Sequence, residues 1–130
     1  MLPSIALARV HAHLCGDGHT SVYKSSEKDH KMRAEVVYTN KNPALIQEFR
    51  DDMKLLFNVK MTKGVKSDVK VKSMRIYAIL EPYGPFGSRL WRIPEFISTG
   101  TVELKRAWLE AYFKDDAYLE LRYNRLKIKS

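Results

Sequence analysis

Asp17 and Asp116 are the residues of this sequence whose types and spacing point most directly to chemistry. Asp17 stands in Gly16-Asp17-Gly18 behind one helical stretch, and Asp116 closes Lys114-Asp115-Asp116 behind another. The two stretches match when shifted by 99 positions (116 − 17), so that Ile5 falls on Leu104, Ala8 on Ala107, Val10 on Leu109, Ala12 on Ala111 and Leu14 on Phe113. Two amphipathic helices agree at apolar positions by chance. Two alanines and a terminal aspartate in the same register are a stronger coincidence. An acid at a helix C-terminus is disfavoured by the negative end of the macrodipole. If the helices lie side by side in parallel, two carboxylates and two negative helix ends converge and need a cation. Mg²⁺, held by one or two carboxylates plus substrate phosphates, answers that need. Asp17 alone reads as an ordinary turn aspartate; the repeat is what points to a paired site.

A second constellation is His11, His13, Cys15 and His19. On a helix His11 and Cys15 share a face while His13 points roughly opposite, so the four do not converge as zinc ligands. No glycine-rich phosphate loop is present, and no serine or cysteine sits in a recognisable nucleophile context.

The elements that must position these residues are legible in outline. Pro3-Ser4 opens a helix running to about Cys15, with Ala8, Ala12 and Gly16 on one face. That face admits a close neighbour, and Ala107 and Ala111 offer the same face on the other helix. His19–Tyr23 and Arg33–Thr39 read as strands around a charged loop over 24–31. Asn42-Pro43 has the form of an N-cap and first helical residue, followed by the stripe Leu45, Ile46, Phe49, Met53, Leu56 and Phe57. Val69 and Val71 alternate with Lys70 and Lys72 in a strand, and Arg75–Leu80 is expected to be another. Two prolines and two glycines make 81–87 a loop. A last helix is expected over Thr101–Asp115, then a short strand at Tyr118–Leu121.

The bulk numbers suit this outline. A chain of 130 residues, 45% of them hydrophobic, suits one domain with an ordinary core. Lys and Arg number 23 against 15 acids, a net +8, which favours an acidic partner, nucleic acid foremost. The expected DNA contacts are Lys70 and Lys72 on one exposed strand face, with Arg33 and Arg75 on neighbouring strands. Trp91 and Trp108 are expected in the core. The sole cysteine, Cys15, cannot form an internal disulfide, which predicts a reducing, cytoplasmic setting. No apolar run approaches the roughly 20 residues a bilayer span needs, so no membrane role is expected.

Ala6 to Gly18, ending Leu14-Cys15-Gly16-Asp17-Gly18-His19, resembles the signature helix of the LAGLIDADG homing endonucleases. Arg92-Ile93-Pro94-Glu95-Phe96-Ile97, followed by Lys105 to Asp116, resembles the approach to that family's second signature helix, especially in archaeal and intein-borne members. The resemblance implies an α+β fold: a complete αββαββ unit over 1–98, then an extra signature helix and short strand over 99–130, within one domain. It implies a central interface of signature helices through Ala8, Ala12, Gly16, Ala107 and Ala111, and a saddle of strands in the DNA major groove. It further implies that Asp17 and Asp116 bind a divalent metal and that water hydrolyses a phosphodiester of double-stranded DNA.

The pattern also departs from that family. The sequence ends 14 residues after Asp116 (130 − 116), so a second DNA-reading sheet is not expected. A truncated relic, a split-gene product and a homodimer through the signature helices would each account for that. The glycine expected after the second aspartate is Ala117, which makes a sharp turn harder. Arg92 stands where the family often carries a catalytic lysine; it can stabilise charge but is a poor proton donor or acceptor. Each departure weakens cleavage more than binding. A module that holds DNA, or less readily RNA, without cutting therefore stays open beside the Mg²⁺-dependent endonuclease.

Overall fold

The computed structural model describes residues 1–24, 31–64, 67–86 and 90–121, with side chains up to position 115. Positions 25–30 of the expected charged loop, Gly87 and the side chain of Asp116 lie outside the described residues.

The centre of the molecule is α1 (Ile5–Asp17). Ser4 caps it, its Oγ accepting from the Leu7 amide at 3.1 Å. Leu7, Ala8, Val10, Ala12, Leu14 and Cys15 are all buried, so the helix is apolar nearly all round, as a helix surrounded by protein must be. It runs two residues past the expected end and turns into β1 (Gly18–Lys24). A Cβ at Gly18 would lie 2.7 Å from the Leu14 Cα and 3.0 Å from the Val37 carbonyl oxygen. Only glycine lets strand and helix approach so closely there.

β1 pairs antiparallel with β2 (Met32–Thr39), β2 with β4 (Asp68–Lys72), and β4 with β3 (Thr62–Lys63), giving the order β1-β2-β4-β3. One face, carrying Ala34, Val36, Tyr38 and Val69, is buried. α2 (Pro43–Phe57) covers it with the expected stripe, and the Tyr38 and Phe49 rings stack at 4.6 Å. Asn42 Oδ1 caps α2 by accepting from the Ala44 amide, and Asn58, left-handed at φ 54°, closes its far end. The bidentate pair Arg9–Asp52 (2.8 and 2.7 Å) ties α1 to α2.

Two expected strands are helical. Met74–Leu80 forms α3, capped by Ser73, whose Oγ accepts from the Ile76 amide at 3.1 Å. Arg75 therefore stands exposed on a helix and does not neighbour Arg33 on a strand. The second strand of the pair is instead the two-residue β3. After a 3₁₀ turn at Glu81–Tyr83 and the short α4 (Glu95–Ser98), α5 runs unbroken from Val102 to Leu121, so no strand forms at Tyr118–Leu121. Ala117 supplies no helix-ending left-handed residue, and the helix continues through it.

Candidate active site

α1 and α5 pack along their length in one direction. Trp108 Nε1 donates to His11 Nδ1 at 2.9 Å midway along α1, and further along both helices Asp115 meets His13 and Gly16. The pairing is within the chain. Ala8, Ala12 and Ala111 are buried in it, and a Cβ on Gly16 would come within 2.7 Å of Asp115 Oδ2. The small face of α1, matched in the sequence to that of the Ala107 and Ala111 helix, is thus filled by the chain's own α5. Ala107 is half-buried beside it.

Asp17 is exposed at the C-terminus of α1, with Asn40 Nδ2 donating to its Oδ2 at 3.0 Å. Asn40 is buried, and its Oδ1 in turn accepts from the Asn42 amide at 2.8 Å. The carboxylate is thereby anchored to the junction of β2 and α2. Asp116 lies on α5, but that helix goes on for five residues, so the expected convergence of two negative helix ends does not occur. Only Asp17 sits at such an end.

The carboxylate that does enter the interface is Asp115, which the 99-residue repeat places opposite Gly16. Tyr38 Oη donates to its Oδ1 at 2.6 Å, and His13 Nδ1 lies 3.1 Å from that oxygen. His13 Nε2 lies 2.7 Å from Glu48 Oε2. With a carboxylate at each ring nitrogen, both nitrogens must donate, and the ring is an imidazolium. Burial opposes that charge, but the hydrogen bonds to Asp115 and Glu48 and their charges outweigh it, raising the His13 pKa to about 9. The hydrogen bond from His13 in turn lowers Glu48 to about 2. Burial, then the Asp115 charge, pushes the Tyr38 phenol far up, so it stays a donor.

His11, two residues away, is the opposite case. The indole of Trp108 can only donate, so Nδ1 accepts, and Nε2–H donates to the Tyr83 carbonyl at 2.9 Å. Burial lowers its pKa to about 4, against the Tyr83 hydrogen bond, which favours the proton. Cys15 shares its side, with Sγ 3.5 Å from Nδ1, and burial pushes that thiol up. His11 and His13 thus serve separate networks. Among the described residues no group of three or more His, Cys, Asp or Glu is arranged to hold a metal.

The open face of the sheet carries the basic strand residues. Lys70 pairs across with Val37, Lys72 with Glu35, and Arg33 with Tyr23. Residues paired across strands share a face, so Arg33, Lys70 and Lys72 lie together, opposite to Val36 and Val69. Arg92 is exposed ahead of α4, its guanidinium donating to the Trp91 carbonyl at 3.3 Å. Trp108 is buried and stacks on Tyr112 at 5.2 Å, with Trp91 half-buried against both.

Asn40 and Asp115 are the site residues that sequence reasoning passed over. Asn40 gave no signal beyond closing a strand. Asp115 did, because shifting by 99 sets it on Gly16, where an acid is out of place.

No protein-family model matches the chain, and neither does any curated protein. Among solved structures it is similar to a variant of I-DmoI, crystallised in complex with its target DNA, nicked in the coding strand, and in the presence of 2 mM Mn. The likeness covers 97% of this chain and 69% of that one, at 21% identity and a TM-score of 0.58. In fold, this chain is a mixed α+β protein of the LAGLIDADG homing-endonuclease type.

Proposed function

We propose that this chain binds double-stranded DNA along the open face of its sheet and hydrolyses a phosphodiester bond beside Asp17 and Asp116, with Mg²⁺ or another divalent cation. The observation that carries the reading is the parallel α1–α5 pairing, which sets the exposed Asp17 at the end of α1 beside the α5 segment holding position 116. Arg33, Lys70 and Lys72 on one sheet face supply cations for phosphates and base edges. A neighbour of the same fold crystallised on its target DNA with Mn supports both parts.

The donor set fits a hard cation. Asp17 offers carboxylate oxygen at a helix C-terminus, where positive charge is favoured. A cation that takes one or two carboxylates and completes its shell with water and phosphate needs no cluster of three protein ligands. When bound, it supplies charge neutralisation at the phosphate and a lowered pKa for the attacking water. Asn40 holds Asp17 in one orientation. Arg92, charged at any ordinary pH, is assigned to the phosphate charge and not to proton transfer.

One observation favours a second reading, nucleic-acid binding without cleavage: α5 does not end at position 116, so its carboxylate lacks the helix-end setting of Asp17. A randomised duplex library incubated with Mg²⁺ or Mn²⁺, with capture of cut ends, separates the two. Cutting by the parent and none by Asp17→Asn supports hydrolysis. Retention of duplex by both, with no cut ends from either, supports binding alone.

A further inference from the structure

The side of α2 turned away from the core carries a feature that the proposed open-face contact does not use. Two adjoining depressions, of about 280 and 390 Å³, share Gln47 and Arg50 as their common wall. Lys41 and Lys63 line the first, and Lys54 and Lys60 the second. Against these five cations stand two acids, Asp51 and Asp68. Asp51 is held by a neutral amide, Gln47 Nε2 donating at 2.8 Å, and so does not need one of the cations. The Arg9 and Lys114 cations are committed to Asp52 and Glu48 elsewhere.

The depressions form one groove following α2, whose 15 residues span roughly 22 Å. Arg50 and Lys54 lie one turn apart on a single helix face, roughly 6 Å along the axis, near the spacing of successive phosphates on a strand. The groove lies on the helix side of the sheet. Lys63 pairs with Val69, whose side chain faces α2, whereas Lys70 and Lys72 lie on the opposite face. A straight duplex on the open face cannot occupy both. At its near end the groove is lined by Asn40, the residue that holds Asp17.

We infer that this groove is a second nucleic-acid site, holding the phosphodiester backbone of a single strand that runs along α2 from the neighbourhood of Asp17. A line of cations along an open groove suits a polyanion. Its continuity with Asp17, which rests on the reading proposed above, points to a nucleic-acid strand over an anionic lipid surface. Electrostatic capture of phosphates by Arg50, Lys54, Lys60 and Lys63 needs neither cleavage nor metal.

The test is fluorescence anisotropy of a short mixed-sequence single strand and of the matching duplex, over a salt series with EDTA, using the full chain. Removing two phosphate contacts from a single strand lowers the log–log salt slope by about 1.4. Arg50→Glu with Lys54→Glu is expected to do that for the single strand. Lys60→Glu with Lys63→Glu, which spares α2, carries the same expectation if the helix variant does not fold. An unchanged single-strand slope in a folded groove variant overturns the inference. So does displacement of the strand by phosphatidylserine vesicles at equal charge, which makes the groove a lipid site. Lys70→Glu with Lys72→Glu tests the open face separately, through a fall of about 1.8 in the duplex slope. If that fall is missing while the groove variants behave as expected, the open-face reading fails and the groove stands.

Discussion

Two histidines on one helix, shifted in opposite directions, are expected to place the maximum of folding stability near pH 6.5. In the folded chain His13 keeps its proton up to about 9, whereas in the unfolded chain it releases it near 6.5. Its stabilisation is therefore complete below pH 6.5 and is lost as the pH climbs to 9. At 1.36 kcal/mol for each pH unit, that interval is worth about 3 kcal/mol. His11 works the other way, because it stays neutral in the fold down to about 4 while the unfolded chain takes up a proton below 6.5. The fold then loses about 3 kcal/mol as the pH falls from 6.5 towards 4. Glu48, lowered to about 2, adds to the acid limb only below its ordinary 4.5. Urea unfolding followed by tryptophan fluorescence across this range reads both limbs. Asp115→Asn removes one of the two carboxylates that hold the His13 proton, so it should lower the plateau and flatten the alkaline limb. A parent stability that is flat from pH 6.5 to 9, or an alkaline limb unchanged in Asp115→Asn, refutes the buried imidazolium.

Two further predictions concern how α1 is held. Arg9→Met strips the buried Asp52 of its bidentate partner and should cost about 2 kcal/mol in denaturant unfolding, less than the ~3–5 of a fully enclosed pair because Arg9 is one-third exposed. Arg9→Met with Asp52→Leu should recover most of it, and a double variant as unstable as the single one would argue against the pair. Gly16→Ala should cost about 1–3 kcal/mol, because its Cβ would meet the Asp115 carboxylate. In an Asp115→Ala background that cost should shrink, and equal costs in both backgrounds would mean that the two positions do not touch.

The parts of the fold legible in the sequence are those with a long period or an explicit cap. The α2 stripe and Asn42-Pro43 mark that helix fully, and the small face of α1 foretells its close partner. Arg75–Leu80 is a six-residue stretch, apolar after its first residue, whose pattern fits strand and helix alike; the deciding signal is Ser73, three residues before the Ile76 amide it caps. β3 is two residues long and has no pattern to read. Tyr118–Leu121 has strand-forming residues, but neither glycine nor proline separates it from α5, and an established helix extends more easily than it stops. The place of Asp17 at the foot of α1 is legible from the repeat; its hydrogen bond from Asn40 is not, because that contact joins residues 23 positions apart. The His13–Asp115 pairing spans 102 positions and follows from the same parallel packing that the repeat implied.

The most direct test of the central claim is duplex affinity in EDTA and in Mg²⁺ or Mn²⁺, for the parent and for Asp17→Asn with Asp116→Asn. Carboxylates facing a phosphodiester repel it until a cation lies between them. The parent should therefore tighten on duplex when metal is added, and the double variant should bind equally well with or without it. A parent whose affinity ignores metal and matches that of the variant would contradict a metal-dependent site at Asp17 and Asp116.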